Sequence, residues 1–289
     1  MKKLKYFAKK MFVIFAKKTY LKMIYKRRMK NKLDFKNPKT FNGKLQWLKI
    51  YDRNPEYTKM VDKYEVKNHV AEEIGGQHII PTLGVWDDVD DIDFDVLPDK
   101  FVLKCTHDSG GVVICKDKSS FDVAEAKRML SKSLKTNYYY FFCEWPYKNV
   151  KPRIIAEKYM TDSAENDSFT DYKFFCFGGE VDCVMLCIDR FTDDKKFYFF
   201  DREWNLKRYN KRGKAAPEGF TVPKPPRIDE MFEFAQKLSK DYPFVRIDLY
   251  NSDGEIYFGE FTLYPDSGFD ANVLPETDIY FGEKIKIKA

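Results

Sequence analysis

The sequence contains few of the residues that usually bind transition metals. It has three histidines in 289 residues, and none of its cysteines forms a C-x-x-C pair. Because zinc sites are built from these side chains at short spacings, a zinc-binding domain is not expected. Cysteines without a pairing pattern are typical of free thiols in a reducing compartment, so a cytoplasmic location is predicted. The six cysteines are Cys105, Cys115, Cys143, Cys176, Cys183 and Cys187.

Acidic residues are absent from the first 32 positions, which contain 13 lysines and arginines. The rest of the chain has 38 basic and 45 acidic residues, a net charge of −7. The basic character therefore belongs to an N-terminal arm. A nucleic-acid-binding body should carry a basic face of its own, so no nucleic-acid partner is expected.

The N-terminal arm has no long hydrophobic run. Its apolar stretch, residues 11–16, is too short for a membrane span or a typical signal sequence. Its helical spacing instead predicts a basic amphipathic helix over residues 1–33, which suits peripheral contact with an anionic membrane surface, here the inner face of the cell membrane. The alternative is a helix packed on the protein body with solvated lysines. The predicted apolar face contains Leu4, Phe7, Ala8, Met11, Ile14 and Phe15.

The remaining chain alternates helical patterns with paired apolar runs, and 17% of all residues are aromatic. Glycine turns between apolar runs predict hairpins, and the body is therefore expected to be α+β, with antiparallel sheets and flanking helices. Helices are predicted over 44–51, 57–74, 121–134 and 228–240. The tail from Tyr264 is predicted to be a loop.

The stretch 101–114, FVLKCTHDSGGVVI, has the pattern of a hairpin with a functional loop. Gly110 and Gly111 allow backbone N–H groups to approach a ligand closely. Lys104 adds a positive charge at the base of the loop. These features, with Ser109, suit a phosphate-binding loop, and an ordinary glycine turn is the alternative.

A second hairpin, 245–263, carries carboxylates on adjacent strands. Asp248 is expected to lie opposite Glu260, and oxygen ligands on adjacent strands suit Mg²⁺. Arg246 shares the face of Asp248 and is suited to an anion. The alternative is a carboxylate pair neutralised by Arg246 and nearby lysines, without a metal.

An acidic run over residues 87–95 contains several Asp-x-Asp triplets, a motif with which glycosyltransferases hold the metal of a nucleotide-sugar. No apolar strand precedes these triplets, so a solvated acidic loop is the favoured interpretation.

Several motifs together resemble the TupA-like ATP-grasp family, over roughly residues 34–282. They are VDKYEVK at 61–67, FVLKCTHDSGG at 101–111, RIIAEKYM at 153–160, DYKFFCFGGE at 171–180 and FTLYPDSGF at 261–269. That family is associated with surface polysaccharide synthesis, is named for teichuronopeptide synthesis, and has members often labelled glycosyltransferases.

The resemblance implies an ATP-grasp fold that binds ATP and Mg²⁺. It assigns the ATP phosphates to Lys63 and Lys104, a closing loop to Ser109, Gly110 and Gly111, the adenine to Glu157, Lys158, Tyr159 and Met160, and the metal to Asp248 and Glu260. Lys173 and Arg246 have charges suited to the γ-phosphate or an acyl-phosphate. Many relatives have asparagine where this chain has Thr262, which puts a second metal site in doubt. His107 and Asp108 receive no role.

The implied domain organisation is an N-terminal helix at 1–33, a helical part at 34–98, a small ATP-grasp subdomain at 99–160 and a large one at 161–289. The implied activity is ATP-dependent ligation of a carboxylate to an amine through an acyl-phosphate. A uronic acid of a glycan and an amino acid or amine are the expected substrates. The alternatives are a glycosyltransferase, a phosphotransferase acting on a sugar hydroxyl, and a membrane-surface scaffold that only binds nucleotide.

Overall fold

The computed structural model describes residues 2–160, 170–188, 195–252 and 254–287, with side chains from residue 6 onward. The chain forms two compact units. Unit 1 comprises residues 1–9 and 54–160, and unit 2 comprises residues 10–53 and 161–289.

Unit 1 has a four-stranded antiparallel sheet with strand order β1-β4-β2-β3. Its strands are β1 (Thr82–Trp86), β2 (Phe101–Cys105), β3 (Val112–Cys115) and β4 (Ile154–Lys158). Its helices are α3 (Glu56–Val61), α4 (Val66–Ile74), α5 (Val123–Leu134) and α6 (Tyr139–Phe142). The predicted 101–114 hairpin is confirmed, since β2 and β3 pair with Lys104 opposite Val112.

The core of unit 1 lies on one face of this sheet. Phe101, Leu103 and Cys105 alternate along β2 and are fully buried, and Leu130 of α5 packs on them. The intervening Lys104 therefore projects from the opposite face. Asp122 caps α5, because its carboxylate accepts a hydrogen bond from the Glu125 N–H at 2.9 Å.

Unit 2 has a six-stranded antiparallel sheet with strand order β10-β9-β5-β6-β7-β8. Its strands are β5 (Asp171–Phe177), β6 (Glu180–Ile188), β7 (Lys196–Phe200), β8 (Leu206–Lys207), β9 (Val245–Ser252) and β10 (Glu255–Thr262). Its helices are α2 (Phe41–Tyr51), α7 (Lys211–Ala215), α8 (Ile228–Leu238) and α9 (Pro275–Lys284). The antiparallel α+β architecture agrees with the prediction.

Aromatic packing covers both faces of the unit 2 sheet. On one face, Phe41 of α2 and Phe281 of α9 contact Phe175, at ring-centroid distances of 6.3 and 5.6 Å. On the other face, Phe174 meets Phe232 of α8 edge-on at 5.0 Å. The high phenylalanine content is thus used to fill the core.

The predicted continuous helix over 57–74 is wrong, because Asp62 interrupts it. The Asp62 carboxylate accepts hydrogen bonds from the N–H groups of Tyr64 at 2.9 Å and Glu65 at 3.3 Å. Aspartate competes with helical bonding in this way. Arg153 holds the turn by pairing with Asp62 at 2.9 Å and Glu65 at 2.7 Å.

The loop predicted from Tyr264 onward is also wrong, because α9 lies within it. Pro275 occupies the start of α9, and Glu276 and Asp278 lie in its first turn. Proline at the first helical position and acidic residues after it favour a helix start. This pattern was available in the sequence.

The N-terminal arm forms one helix, α1 (Lys2–Met29), with a non-helical backbone conformation at Ala16. Val13, Leu21 and Ile24 are buried, whereas Phe7, Met11, Ile14 and Phe15 are exposed. The Leu4 side chain lies outside the described part of the chain. Among the helices of the described residues, none is long and apolar enough for a membrane span. The six cysteines are free, as predicted, and all six are buried.

The Asp122 cap gives a test of the α5 assignment. Replacing Asp122 by alanine should lower the free energy of unfolding by about 1 kcal/mol, because the Glu125 N–H loses its acceptor. Urea denaturation followed by circular dichroism measures this change. Asp122→Asn keeps an acceptor and should stay close to the wild type, so equal losses in both variants would contradict the capping role.

Candidate functional site

The first charged cluster lies on the unit 1 sheet, where Glu157 of β4 sits between two lysines. One carboxylate oxygen, Oε1, is 2.5 Å from the Lys67 ammonium, and the other, Oε2, is 2.5 Å from the Lys104 ammonium. The side chains of Lys67, Glu157 and Lys104 are 12%, 6% and 23% exposed. We call these three residues the lysine–glutamate cluster. Its formal charge is +1, which favours an anionic ligand.

The pKa values in this cluster show which charges persist. Burial raises the pKa of Glu157, but the attraction of Lys104 and Lys67 outweighs it, and the pKa lies below its usual value. Burial is the main reason that the pKa of Lys67 lies below its usual value; Lys104 lowers it further, and Glu157 opposes both effects. Glu157 is therefore a carboxylate at neutral pH, held by charge-assisted hydrogen bonds.

Lys63 lies in the turn that Asp62 makes and contacts the glycine-rich loop. Its backbone N–H donates to the Thr106 carbonyl at 3.2 Å. Its ammonium donates to the carbonyls of Cys105, at 3.1 Å, and Asp108. Lys63 thus supports one end of the loop that contains Ser109, Gly110 and Gly111.

The glycine-rich loop has a conformation that needs its glycines. Gly110 has φ of +127°, which side chains rarely tolerate. A Cβ at Gly111 would lie 2.5 Å from Ser133 Oγ and 2.7 Å from Asp108 Oδ2. Ser133 donates its hydroxyl to Asp108, so the loop is attached to α5 beside its glycines.

His107 and Asp108, which had no predicted role, lie at this attachment. Both are buried. The Nε2 atom of His107 is 3.2 Å from the Ser133 carbonyl, and Asp108 Oδ1 accepts from the Gly111 N–H at 3.2 Å. These contacts give both residues a structural role in shaping the loop.

The segment expected to contact adenine follows the lysine–glutamate cluster directly. Glu157 and Lys158 end β4, and Tyr159 and Met160 follow the strand. The Lys158 N–H donates to the Pro81 carbonyl at 3.0 Å. Because both oxygens of the Glu157 carboxylate are paired with lysines, a contact between this residue and adenine would have to use its backbone N–H or carbonyl group.

The second charged cluster lies on one face of the unit 2 sheet. Strand alternation places Asp171 and Lys173 of β5, Arg246 and Asp248 of β9, and Glu260 and Thr262 of β10 on that face. The register pairs Asp248 with Lys173 on one side and with Glu260 on the other, as the predicted hairpin requires. We call the six residues on this face the carboxylate cluster. Asp253, between the two strands of this hairpin, lies outside the described residues.

Asp248 is the centre of the carboxylate cluster and is 2% exposed. Arg246 donates to both of its oxygens at 2.6 Å, and Lys173 donates at 2.6 Å. Burial raises the pKa of Asp248, but Arg246 and Lys173 outweigh it and lower the pKa. Conversely, Asp248 outweighs burial and raises the pKa of Arg246.

The outer part of the carboxylate cluster links Glu260 to Thr262. Arg246 is 3.3 Å from Glu260 Oε1 and donates to the Thr262 hydroxyl at 3.0 Å, which in turn donates to Glu260 at 3.0 Å. Glu260 is half exposed, with 47% of its side chain accessible.

Asp171, 3.2 Å from Lys173, completes the charge balance. Three carboxylates and two cations leave a formal charge of −1, which suits a cation. Within the described ranges there is no grouping of three or more His, Cys, Asp or Glu side chains arranged for a metal ion.

The structure therefore brings the predicted residues into two groups. Lys63, Lys104, the 109–111 loop and residues 157–160 belong to unit 1, and Lys173, Arg246, Asp248 and Glu260 belong to unit 2. Two charged participants were not predicted, Lys67 and Asp171. Asp171 lies two residues before Lys173 in β5, a spacing that places both side chains on one face of the sheet. Lys67 lies in α4, beyond the break at Asp62, so helical spacing from Lys63 does not explain its position.

The acidic run over 87–95 directly follows strand β1 (Thr82–Trp86), so the expectation that no strand precedes it is wrong. Its side chains nevertheless have the features of the predicted solvated loop. The side chains of Asp87 and Asp90 are 62% and 81% exposed and pair with Lys151 and Lys127. Val89 and Ile92, between the aspartates, are buried and hold the loop on the core of unit 1.

Solved structures that are similar to this chain include several ligases. D-alanine–D-alanine ligase from Bacillus anthracis, solved with ATP, is 17% identical over 78% of this chain and 63% of its own, with a TM-score of 0.46. L-amino acid ligase from Bacillus licheniformis is 12% identical over 78% of this chain and 49% of its own, with a TM-score of 0.47. D-cycloserine synthetase DcsG is 16% identical over 80% of this chain and 72% of its own, with a TM-score of 0.43. No curated protein matches this chain.

A family model identifies both the fold class, ATP-grasp, and the family of this chain. The TupA-like ATP-grasp model matches residues 43–286, so the chain belongs to the TupA-like ATP-grasp family. The predicted family and fold are confirmed.

The Asp248 ion pairs predict a pH-dependent loss of stability on mutation. Asp248→Asn leaves Arg246 and Lys173 buried with a neutral partner and should lower the free energy of unfolding by about 3 to 5 kcal/mol at pH 7. Because the pKa of Asp248 is depressed, its contribution is complete above the ordinary carboxyl pKa, about 3.9, and disappears as pH falls through the lower folded-state value.

Urea titrations of both proteins from pH 7 to pH 3 would measure the difference. Glu233→Gln, at a side chain that is 68% exposed, is the matched control and should show no comparable change. A gap between wild type and Asp248→Asn that stays constant below pH 3.9 would contradict the ion-pair account.

Proposed function

We propose that this chain is an ATP- and Mg²⁺-dependent carboxylate–amine ligase that works through an acyl-phosphate. The observation that carries the proposal is the pair of opposite charge clusters. The lysine–glutamate cluster has a surplus positive charge for phosphate, and the carboxylate cluster has a surplus negative charge for a metal ion. Phosphate oxygens and a metal ion, the two charged parts of Mg·ATP, would each find the opposite charge in this chain.

The residues of the carboxylate cluster fit Mg²⁺ by chemistry. Asp248 and Glu260 offer carboxylate oxygens from paired strands, and hard oxygen ligands are what Mg²⁺ prefers. The half-exposed Glu260 is the more accessible of the two. When bound, the metal ion would neutralise negative charge on the transferring phosphoryl group. Thr262, already bonded to Arg246 and Glu260, is a positioning group for both.

The cationic side chains supply the remaining stabilisation. Arg246 and Lys173 would orient the phosphoryl or acyl-phosphate oxygens, and Arg246 keeps its charge at any physiological pH. In unit 1, Lys63 and Lys104 would neutralise the phosphates, and the Ser109–Gly111 loop would exclude water. Glu157 to Met160 would contact the adenine.

The substrate class rests on the family resemblance. A uronic acid of a bacterial surface polysaccharide would provide the carboxylate, and an amino acid or another amine would provide the nucleophile. The carboxylate oxygen would take the γ-phosphoryl group with release of ADP, and the amine would then displace phosphate to form the amide. The lysines and the arginine described above would attract the two anionic reactants, ATP and the uronic acid.

The metal carboxylates give the test of this activity. Asp248→Asn and Glu260→Gln should each reduce ADP release by more than about a hundredfold, because charge stabilisation in the transition state is lost. The measurement is ADP release in the presence and absence of a uronic acid and an amine, with mass spectrometry of the product.

The acidic loop provides the matched control. The double variant Asp90→Asn/Asp93→Asn should keep wild-type activity, because those side chains belong to a solvated loop. Sugar transfer from a nucleotide-sugar that depends on this loop and not on ATP would establish a glycosyltransferase instead. A phosphorylated sugar hydroxyl as the product, with no amide, would indicate a phosphotransferase, and ATP binding without turnover would indicate a scaffold.

A peripheral membrane location on the cytoplasmic face is proposed for the N-terminal helix. Phe7, Met11, Ile14 and Phe15 follow the i, i+4, i+7, i+8 spacing of one helix face and are exposed. Lysines surround this face and acidic residues are absent from it. An exposed apolar stripe with a basic border has the chemistry of an interfacial helix on anionic lipid.

Liposome flotation tests this location. The wild type should float with vesicles containing anionic lipid and less with neutral vesicles, and Phe7→Ser/Phe15→Ser should reduce flotation at least about threefold, since both rings, 59% and 78% exposed, would leave the interface. Ile279→Ser, at an exposed apolar residue of α9, is the control and should float as the wild type does. Equal flotation of all three proteins would rule out the proposal.

A further inference from the structure

Lys67 has no hydrogen-bond donor left for a ligand. It lies in the first turn of α4, and its ammonium contacts Glu157 Oε1 at 2.5 Å, the Thr82 hydroxyl at 2.7 Å and the Ile80 carbonyl at 2.9 Å. A lysine ammonium has three N–H donors. All three have protein acceptors, and the side chain is 12% exposed. Lys67 is therefore not placed as a phosphate ligand itself.

Lys104 differs from Lys67 in the donors that it keeps. Within the described residues, its ammonium has one protein acceptor, Glu157 Oε2 at 2.5 Å. Two of its three donors remain available, and its side chain is twice as exposed, at 23%. The Glu157 charge is shared between the two lysines, so the surplus positive charge of the cluster is presented by Lys104.

We propose that Lys67 is a positioning residue that neutralises and holds Glu157, so that the Lys104 ammonium is available to a phosphate of the nucleotide. This inference rests on the proposed function, in which Lys104 contacts ATP. It assigns to Lys67 a role through Glu157 that neither the sequence nor the family assignment provides.

The reason is competition for one ammonium group. Without Lys67, the buried Glu157 carboxylate would have Lys104 as its partner in the cluster, and both carboxylate oxygens would attract that ammonium. At low effective dielectric the pair would be strongly attractive and formally neutral. A phosphate would then have to displace a carboxylate from Lys104 in order to bind.

The test is a double-mutant cycle with pyrophosphate as the probe, measured by titration calorimetry, alongside the KM for ATP and kcat of ADP release. Lys67→Met should weaken pyrophosphate binding about tenfold and raise the KM for ATP more than it lowers kcat. Lys67→Met/Glu157→Gln should recover binding to within about threefold of the wild type, since no carboxylate then competes for Lys104. Lys67→Arg keeps the positive charge beside Glu157 and should bind pyrophosphate to within about threefold of the wild type.

Two control variants separate charge from packing. Thr82→Val removes one hydrogen bond of Lys67 but leaves its ammonium on Glu157, and should bind pyrophosphate as the wild type does. Lys59→Met removes a lysine whose side chain is 61% exposed and should have no effect. Should Lys67→Met fail to fold, Glu157→Gln alone remains informative, because freeing Lys104 should leave pyrophosphate binding at least as tight as in the wild type.

The outcomes distinguish this inference from the proposed function. Failure of Glu157→Gln to restore binding in the Lys67→Met background, or weaker binding by Glu157→Gln alone, would overturn the positioning role even if ligase activity were found. The predicted cycle with pyrophosphate in a protein that does not turn over ATP would support the positioning role and sink the ligase proposal.

Discussion

Buried carboxylates held between cations are the interaction on which both charged clusters depend. Glu157 lies between Lys67 and Lys104 in unit 1, and Asp248 lies between Arg246 and Lys173 in unit 2. In each case burial opposes ionisation and the neighbouring cations more than compensate, so the carboxylate stays charged. Each arrangement fixes the direction of long, flexible cationic side chains on a sheet.

Such arrangements contribute little to stability as a whole. Desolvation of buried ions roughly offsets their attraction, and well-packed apolar side chains of similar volume often do as well or better. What apolar residues could not supply is the residual charge, +1 in the lysine–glutamate cluster and −1 in the carboxylate cluster. Preorganised residual charge is the main means by which proteins stabilise a transferring phosphoryl group.

The turn at Asp62 connects local structure to the unit 1 site. Because its carboxylate captures the N–H groups of Tyr64 and Glu65, the helix is interrupted between α3 and α4. Lys63 can then reach the carbonyls of the glycine-rich loop, while Lys67, one turn later, reaches Glu157. An uninterrupted helix would direct these two lysines to the same face. The turn at Asp62 thus allows Lys63 and Lys67 to contact different parts of unit 1.

The sequence by itself determined the fold class, the hairpins and the strand register that sets Asp248 opposite Glu260, because alternation and glycine turns are local rules. It also identified the family through motifs that are short and contiguous. The partners of each charge were decided by tertiary structure. Lys67 meets Glu157 across 90 positions of sequence, and Asp62 meets Arg153 across 91. Local periodicity carries no information on such pairs, since strand order and helix breaks, which depend on the whole packed chain, bring them together.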